Sequence, residues 1–167
     1  MDTDAIRAYL TTLMTAITGQ GWNAQVTNED DAPVLYCAVP SEENEGTLYR
    51  LSILPTLNGM AVAEIEIILL RDVTEEAYPN LQDLIGHLNP CIQLGSLFLN
   101  TDAGTVVYTH GMLFGEEQDV SSVTELLAKS ISMMEVTASN TVDLLKRCQQ
   151  GEPVGTIMDE MMKEAEA

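Results

Sequence analysis

Both histidines of the chain, His87 and His110, lie near one of its three cysteines, Cys91. Imidazole and thiolate groups bind zinc when they converge within about 2 to 2.3 Å of one ion. His87 and Cys91 are four residues apart, which suits one face of a helix, but Pro90 ends the helix between them. We expect His110 opposite Gly95 on a hairpin, roughly 13 Å along the strand from Cys91. The segment is therefore interpreted as a structural junction between a helix and a hairpin, with no metal site.

Two carboxylates, Glu64 and Glu66, lie on one face of a predicted strand, and such a pair could act as general acid and base. The sequence offers no second group that would separate their pKa values, and Arg50 is the expected cross-strand partner. A solvated sheet face is the favoured interpretation. The alternative is a small enzyme or ligand-binding domain with a loop-built site of Glu64, Glu66 and His110. Three acidic loops, around residues 29–31, 42–45 and 116–119, lack the ligand order of a calcium loop. We therefore predict no catalytic residue, no metal and no cofactor.

The elements that would position these residues follow from the spacing of apolar side chains. Helical spacing and strand alternation give the order α-ββββ-α-ββ-α, which indicates an α+β domain with an antiparallel sheet flanked by helices. A chain of 167 residues, 46% of them hydrophobic, fits one such domain, expected over residues 1–151. Residues 152–167 form an acidic, Met-rich tail that could be helical. Ser122 and Glu125 predict a capping box at the start of the last long helix.

The pairing of the third and fourth strands can be predicted from their faces. A two-residue turn at residues 58–59 would mix apolar and charged positions. A shift of one residue places Leu51 opposite Ile65 and Arg50 opposite Glu66, so that the faces agree. Because a slip of one residue inverts every side chain, we predict this register, with a bulge or longer turn near Pro55.

The charge of the chain excludes several classes of partner. A net charge of −19 with only seven Lys and Arg residues is incompatible with phosphate recognition, so we expect no nucleic acid. Anionic lipid would also be repelled. The sequence has no run of about 18 apolar residues, so we expect no membrane insertion. The acidic N-terminus lacks the order of a signal peptide, and three cysteines without motif spacing suit a reducing compartment. A cytoplasmic protein is the expectation.

Three features indicate contacts with other polypeptides. The apolar stripe of Leu81, Leu84, Ile85 and Leu88 is a candidate dimer contact, although core burial explains it equally well. The second strand is a candidate edge for a partner strand, through Val34, Leu35, Tyr36, Cys37 and Val39. The methionines of the tail, Met158, Met161 and Met162, suit an adaptable contact with a partner subunit or chain.

Residues 81 to 145 also resemble the YbjN-like bacterial family, whose members share the fold of the type III secretion chaperones of the Tir-chaperone (CesT) class. The similar features run in order along the chain: a helix ending at Leu88-Asn89, a strand with Gly95 and Leu97–Leu99, an acidic turn at Asp102–Gly104, a strand with Val106–Tyr108, and a long closing helix. The resemblance implies a small acidic α+β homodimer without catalytic residues. Such a protein would hold a client or effector polypeptide against apolar grooves and sheet edges, or would act as a regulator.

Overall fold

The computed structural model describes residues 2–38, 48–55, 60–115 and 117–165. Its helices are α1 (Thr3–Gly19), α2 (Tyr78–Leu88), α3 (Val120–Gln149) and α4 (Val154–Ala165), with short 3₁₀ turns at Glu75–Ala77 and Asn89–Cys91. Its strands are β1 (Asn23–Glu29), β2 (Ala32–Ala38), β3 (Leu48–Pro55), β4 (Met60–Leu70), β5 (Ser96–Asn100) and β6 (Thr105–Gly115). The predicted α+β class and element order are confirmed, and α4 lies in the acidic tail.

The six strands form one antiparallel sheet in the order β1-β2-β3-β4-β6-β5. The predicted register of β3 and β4 is confirmed, since Leu51 lies opposite Ile65 and Arg50 opposite Glu66. Pro55 pairs with Ala61, and the expected bulge or longer turn falls on residues 56–59, outside the described residues. The buried side chains of this pair, Tyr49, Leu51 and Ile53 on β3 and Ala63, Ile65 and Ile67 on β4, therefore share one face.

The chain divides into two compact units. Unit 1 comprises Met1–Ile67 and Thr109–Met133, and unit 2 comprises Ile68–Tyr108 and Met134–Ala167. In unit 1, α1 packs on β1 and β2. The buried side chains of α1 recur at helical spacing, and those of the central strands recur at every second residue, as expected for a helix packed on one sheet face. They are Ile6, Leu10, Leu13 and Ile17 on the helix and Leu35, Leu51 and Ile65 on the strands.

In unit 2, α2 packs against β5 and α4. The Asn89 side chain follows α2 and bonds the backbone of Leu97 in both directions, accepting from its N–H (2.8 Å) and donating to its carbonyl (3.0 Å). The Tyr108 hydroxyl donates to the carbonyl of Leu94. These bonds fix β5 beside the end of α2, because each satisfies a backbone group at a chain reversal.

The caps of the helices differ in part from the prediction. Asp2 caps α1 by accepting a bond from the N–H of Ala5 (2.8 Å). At α3 the predicted capping box is wrong, because Asp119 accepts from the N–H of Ser122 (3.0 Å) and the helix begins at Val120, three residues earlier than a cap at Ser122 implies. Glu125 instead binds Lys129 one turn along (2.6 Å). Aspartate is as good an N-cap as serine, so the earlier acid takes the position.

Candidate functional site

In the structure, His87 and Cys91 contact neighbouring residues at the end of α2. The Cys91 thiol is exposed and donates to the carbonyl of His87 (3.8 Å between Sγ and O). The His87 ring lies beside Asp83, 3.7 Å between Nε2 and Oδ1, and both side chains are more than half exposed. In the part of the chain that the structure describes, no three His, Cys, Asp or Glu side chains come together to hold a metal ion. The segment connects α2 to β5.

The other two cysteines lie in the interior. Burial raises the pKa of the Cys37 thiol to about 12. Burial, with the nearby charge of Asp83, also raises the pKa of Cys148. Since the thiolate is the reactive form, both thiols are poor nucleophiles at neutral pH.

The predicted carboxylate pair is divided between two environments. Arg50 binds Glu66 (2.5 Å) and Glu29 (2.8 Å), and the Tyr36 hydroxyl donates to Glu29. The hydrogen bonds from Tyr36 and Arg50 lower the pKa of Glu29, and the bond to Glu29 raises the pKa of Tyr36. This network crosses four neighbouring strands of unit 1 and pairs two carboxylates with one guanidinium, which leaves a net charge of −1. It acts as a brace across the sheet face.

Glu64 lies on the same sheet face, opposite Ser52, and stands apart from this brace. It is half-buried, and no basic side chain of the described residues forms an ion pair with it. His110 lies on β6, where burial lowers the pKa of its ring. The two groups are not joined by any hydrogen bond in the described part of the chain.

The predicted dimer stripe of α2 is buried inside the chain. Leu81, Leu84, Ile85 and Leu88 are at most 7% exposed, because α2 turns this face toward β5 and α4. The prediction that they form a surface contact is therefore wrong. These side chains supply the core of unit 2.

The predicted partner edge is also wrong, because β2 is paired on both sides, by β1 and by β3. Val34, Leu35 and Cys37 are buried and Tyr36 is half-buried in the brace. Val39 lies outside the described residues. The edge position belongs to β1, which folds back on β2 through a tight turn at residues 30–31, where both aspartates have positive φ.

The edge strands of the described sheet are β1 and β5. They differ in charge: β1 ends in Glu29 and continues into Asp30 and Asp31, whereas β5 (SLFLN) contains no charged residue. On β5 the Leu97 side chain is buried and the Phe98 side chain is 39% exposed. The sequence does not reveal β5 as an edge strand, because local periodicity does not encode strand order across a helical connection.

The tail folds as α4. Ile157 is fully buried, whereas Met162 is 59% exposed and Met158 and Met161 are half-buried. Arg147 at the end of α3 binds Glu152 through two nitrogens (2.7 and 2.5 Å) and Glu160 (2.6 Å). The methionines therefore lie on a helix that is tied to unit 2.

None of the helices in the described ranges combines the length and the apolar character needed to cross a membrane. No family model matches the sequence, and no curated protein is significantly similar to it. The sheet edges and the exposed apolar positions are therefore the features from which a function is inferred.

Proposed function

We propose that this protein is a non-enzymatic, cytoplasmic protein-binding module: a homodimeric chaperone-like or regulatory protein that holds a partner polypeptide through sheet edges and apolar surface. The observation that carries the proposal is β5, an uncharged edge strand with an exposed phenylalanine. The resemblance of residues 81 to 145 to YbjN-like proteins and to the type III secretion chaperone fold supports the same class of function.

The outer side of β5 pairs with no other strand of the described chain. The Asn89 side chain already bonds the N–H and C=O of Leu97, so the backbone groups left for a partner strand are those of Leu99. Such groups are templates for strand addition, and proteins that avoid it place charges or proline on the edge. β1 carries that protection through its acidic end, and β5 does not. Strand addition at β5 is therefore favoured over addition at β1.

A second copy of the chain fits this edge. Antiparallel pairing of two β5 strands about Phe98 would place the two Phe98 side chains opposite each other and each Ser96 opposite an Asn100. A cross-strand aromatic pair contributes about 0.2–1 kcal/mol, and the arrangement is self-complementary, as a two-fold dimer requires. In a chain of net charge −19, a neutral strand is also where two copies repel each other least.

The test is the absolute mass by light scattering of wild type, Phe98→Lys and Gln25→Lys at about 50 μM, well above a micromolar dissociation constant. The two substitutions add the same charge, one on β5 and the other on the β1 edge. We expect a dimer for wild type and Gln25→Lys and a monomer for Phe98→Lys, because a lysine blocks edge pairing. Matching circular dichroism spectra would show that all three are folded. A monomeric wild type, or a Phe98→Lys variant that stays dimeric, would contradict the proposal.

A further inference from the structure

Unit 1 exposes apolar side chains on one face of its sheet. Leu54 of β3 is 50% exposed and Leu113 of β6 is 61% exposed. Their strand neighbours Ile53 and Phe114 are buried, at 5% and 2%. Since successive side chains of a strand alternate between faces, the two leucines point away from the buried layer.

These leucines lie on the same sheet face as Gly111. Leu54 lies opposite Val62 on β4, and a Cβ placed on Gly111 would lie 3.7 Å from Cγ1 of Val62. Leu113 follows Gly111 by two residues and therefore shares its face. Gly111 therefore adds no side chain beside Val62 on this face. We call these four residues, Leu54, Val62, Gly111 and Leu113, the notch face.

A carboxylate lies beside the notch face without a cation. Glu64 follows Val62 by two residues on the same strand, and no basic side chain in the described ranges pairs with it. The three basic residues of unit 1 are engaged elsewhere: Arg7 with Asn28 (2.5 Å), Arg50 in the brace and Lys129 with Glu125.

The other Lys and Arg residues belong to unit 2: Arg71, Lys146, Arg147 and Lys163. All seven Lys and Arg residues lie within the described ranges, so residues 39–47, 56–59, 116 and 166–167 contain none. We infer a partner molecule as the source of a cation that binds Glu64. A second copy is a poor source, since it repeats the net charge of −19.

We propose that the notch face and Glu64 together dock an extended segment of a basic, apolar partner polypeptide. One apolar side chain of the partner lies over Gly111 between Val62 and Leu113, and a lysine or arginine of the partner binds Glu64. The inference rests on the proposed polypeptide-binding function and names the chemistry of the partner. Apolar contact supplies affinity, and the acidic surface attracts the basic segment and speeds its association.

The test uses three synthetic peptides of equal length with alternating Leu and Lys, Leu and Glu, or Ser and Lys, titrated with the full chain by fluorescence anisotropy. We expect binding of the Leu/Lys peptide, with at least tenfold weaker binding of each of the other two, because one lacks the charge and the other the apolar contact.

Two pairs of variants locate the site on the chain. Leu113→Ser and Glu64→Gln are expected to weaken binding of the Leu/Lys peptide by about five- to tenfold each. Their matched controls are Leu126→Ser and Glu117→Gln, an exposed leucine and an exposed glutamate elsewhere in unit 1, and these should bind like wild type. Thermal unfolding of each variant shows that the loss is not a loss of fold.

Absence of binding to the Leu/Lys peptide, or equal weakening by the control variants, would overturn the inference. Equal weakening would mean that the overall acidity of the chain, and not this face, attracts the peptide. The mass measurement on β5 does not depend on the notch face. A dimer that binds no peptide would contradict this inference alone, and a monomer that binds the peptide would contradict the dimer alone.

Discussion

Gly104 ends the turn between β5 and β6 in a conformation that other residues adopt with strain. Its φ is +59°, and a Cβ there would lie 3.1 Å from the carbonyl oxygen of Val73. The N–H of Val73 donates to the carbonyl of Gly104 (2.9 Å), and the Tyr78 hydroxyl donates to Thr101 (2.9 Å). The turn is therefore held closely against the segment that precedes α2.

We expect Gly104→Ala to lower the free energy of unfolding by about 1–3 kcal/mol, through left-handed strain and the close carbonyl. Gly86→Ala is the matched control, because Gly86 lies in α2 with open space around its Cα. That change should raise the free energy of unfolding by about 0.5–1 kcal/mol, since alanine is the better helix former. Urea unfolding measures both. A Gly104→Ala variant as stable as wild type would refute the steric argument.

At the residue scale, sequence periodicity predicts which face a side chain shares, and no more. It paired Arg50 with Glu66 correctly, because alternation and register determine cross-strand neighbours. The contacts of Tyr36 and Glu29 with each other were not predicted, because periodicity does not state how far a long side chain extends along the sheet face. Only the structure shows that the ion pairs of Arg50 and Lys129 do not include Glu64.

At the element scale, α4 depends on few contacts with the rest of unit 2. Ile157 is its fully buried side chain, and Arg147 joins the end of α3 to Glu152 and Glu160. We expect Arg147→Gln to speed amide hydrogen exchange in α4 while leaving the unfolding midpoint of the protein nearly unchanged, because the ion pairs are largely solvated.

Lys146→Gln is the matched control for Arg147→Gln, because Lys146 lies beside Asp143 (3.8 Å) within α3 and does not bind α4. Its exchange in α4 should match that of wild type. Ile157→Ala, in contrast, should destabilise α4 through a cavity, by about 2–4 kcal/mol. If both charge variants exchange alike, the Arg147 contacts do not hold the helix.

The helices and strands could be predicted from the sequence, but which of them pack or pair with one another could be predicted only in part. The amphipathic stripe of α2 predicted burial correctly, yet an apolar stripe does not state whether it faces its own core or another subunit. The assignment of β2 as an edge failed because strand order decides which strands have two neighbours, and both β1 and β3 pair with β2.

At the scale of the whole molecule, the net charge of −19 opposes the two proposed interactions in different ways. Two copies of the chain repel each other, so salt should strengthen the dimer by screening. A basic peptide is attracted to the chain, so salt should weaken its binding. The net charge of the sequence predicts the direction of both salt effects, but only the fold identifies the neutral edge strand and the notch face with its neighbouring Glu64.

The most direct test of polypeptide binding through an open edge is amide hydrogen exchange of the two edge strands, measured by NMR in low and high salt. The account predicts that the amide of Leu99, on the outward side of β5, is protected in wild type, more strongly in high salt, and loses protection in Phe98→Lys, whereas the Leu97 amide is held by Asn89 in every sample. The outward-pointing amides of β1 should exchange rapidly in all samples. Equally rapid exchange at both edges of the wild-type protein would contradict the account.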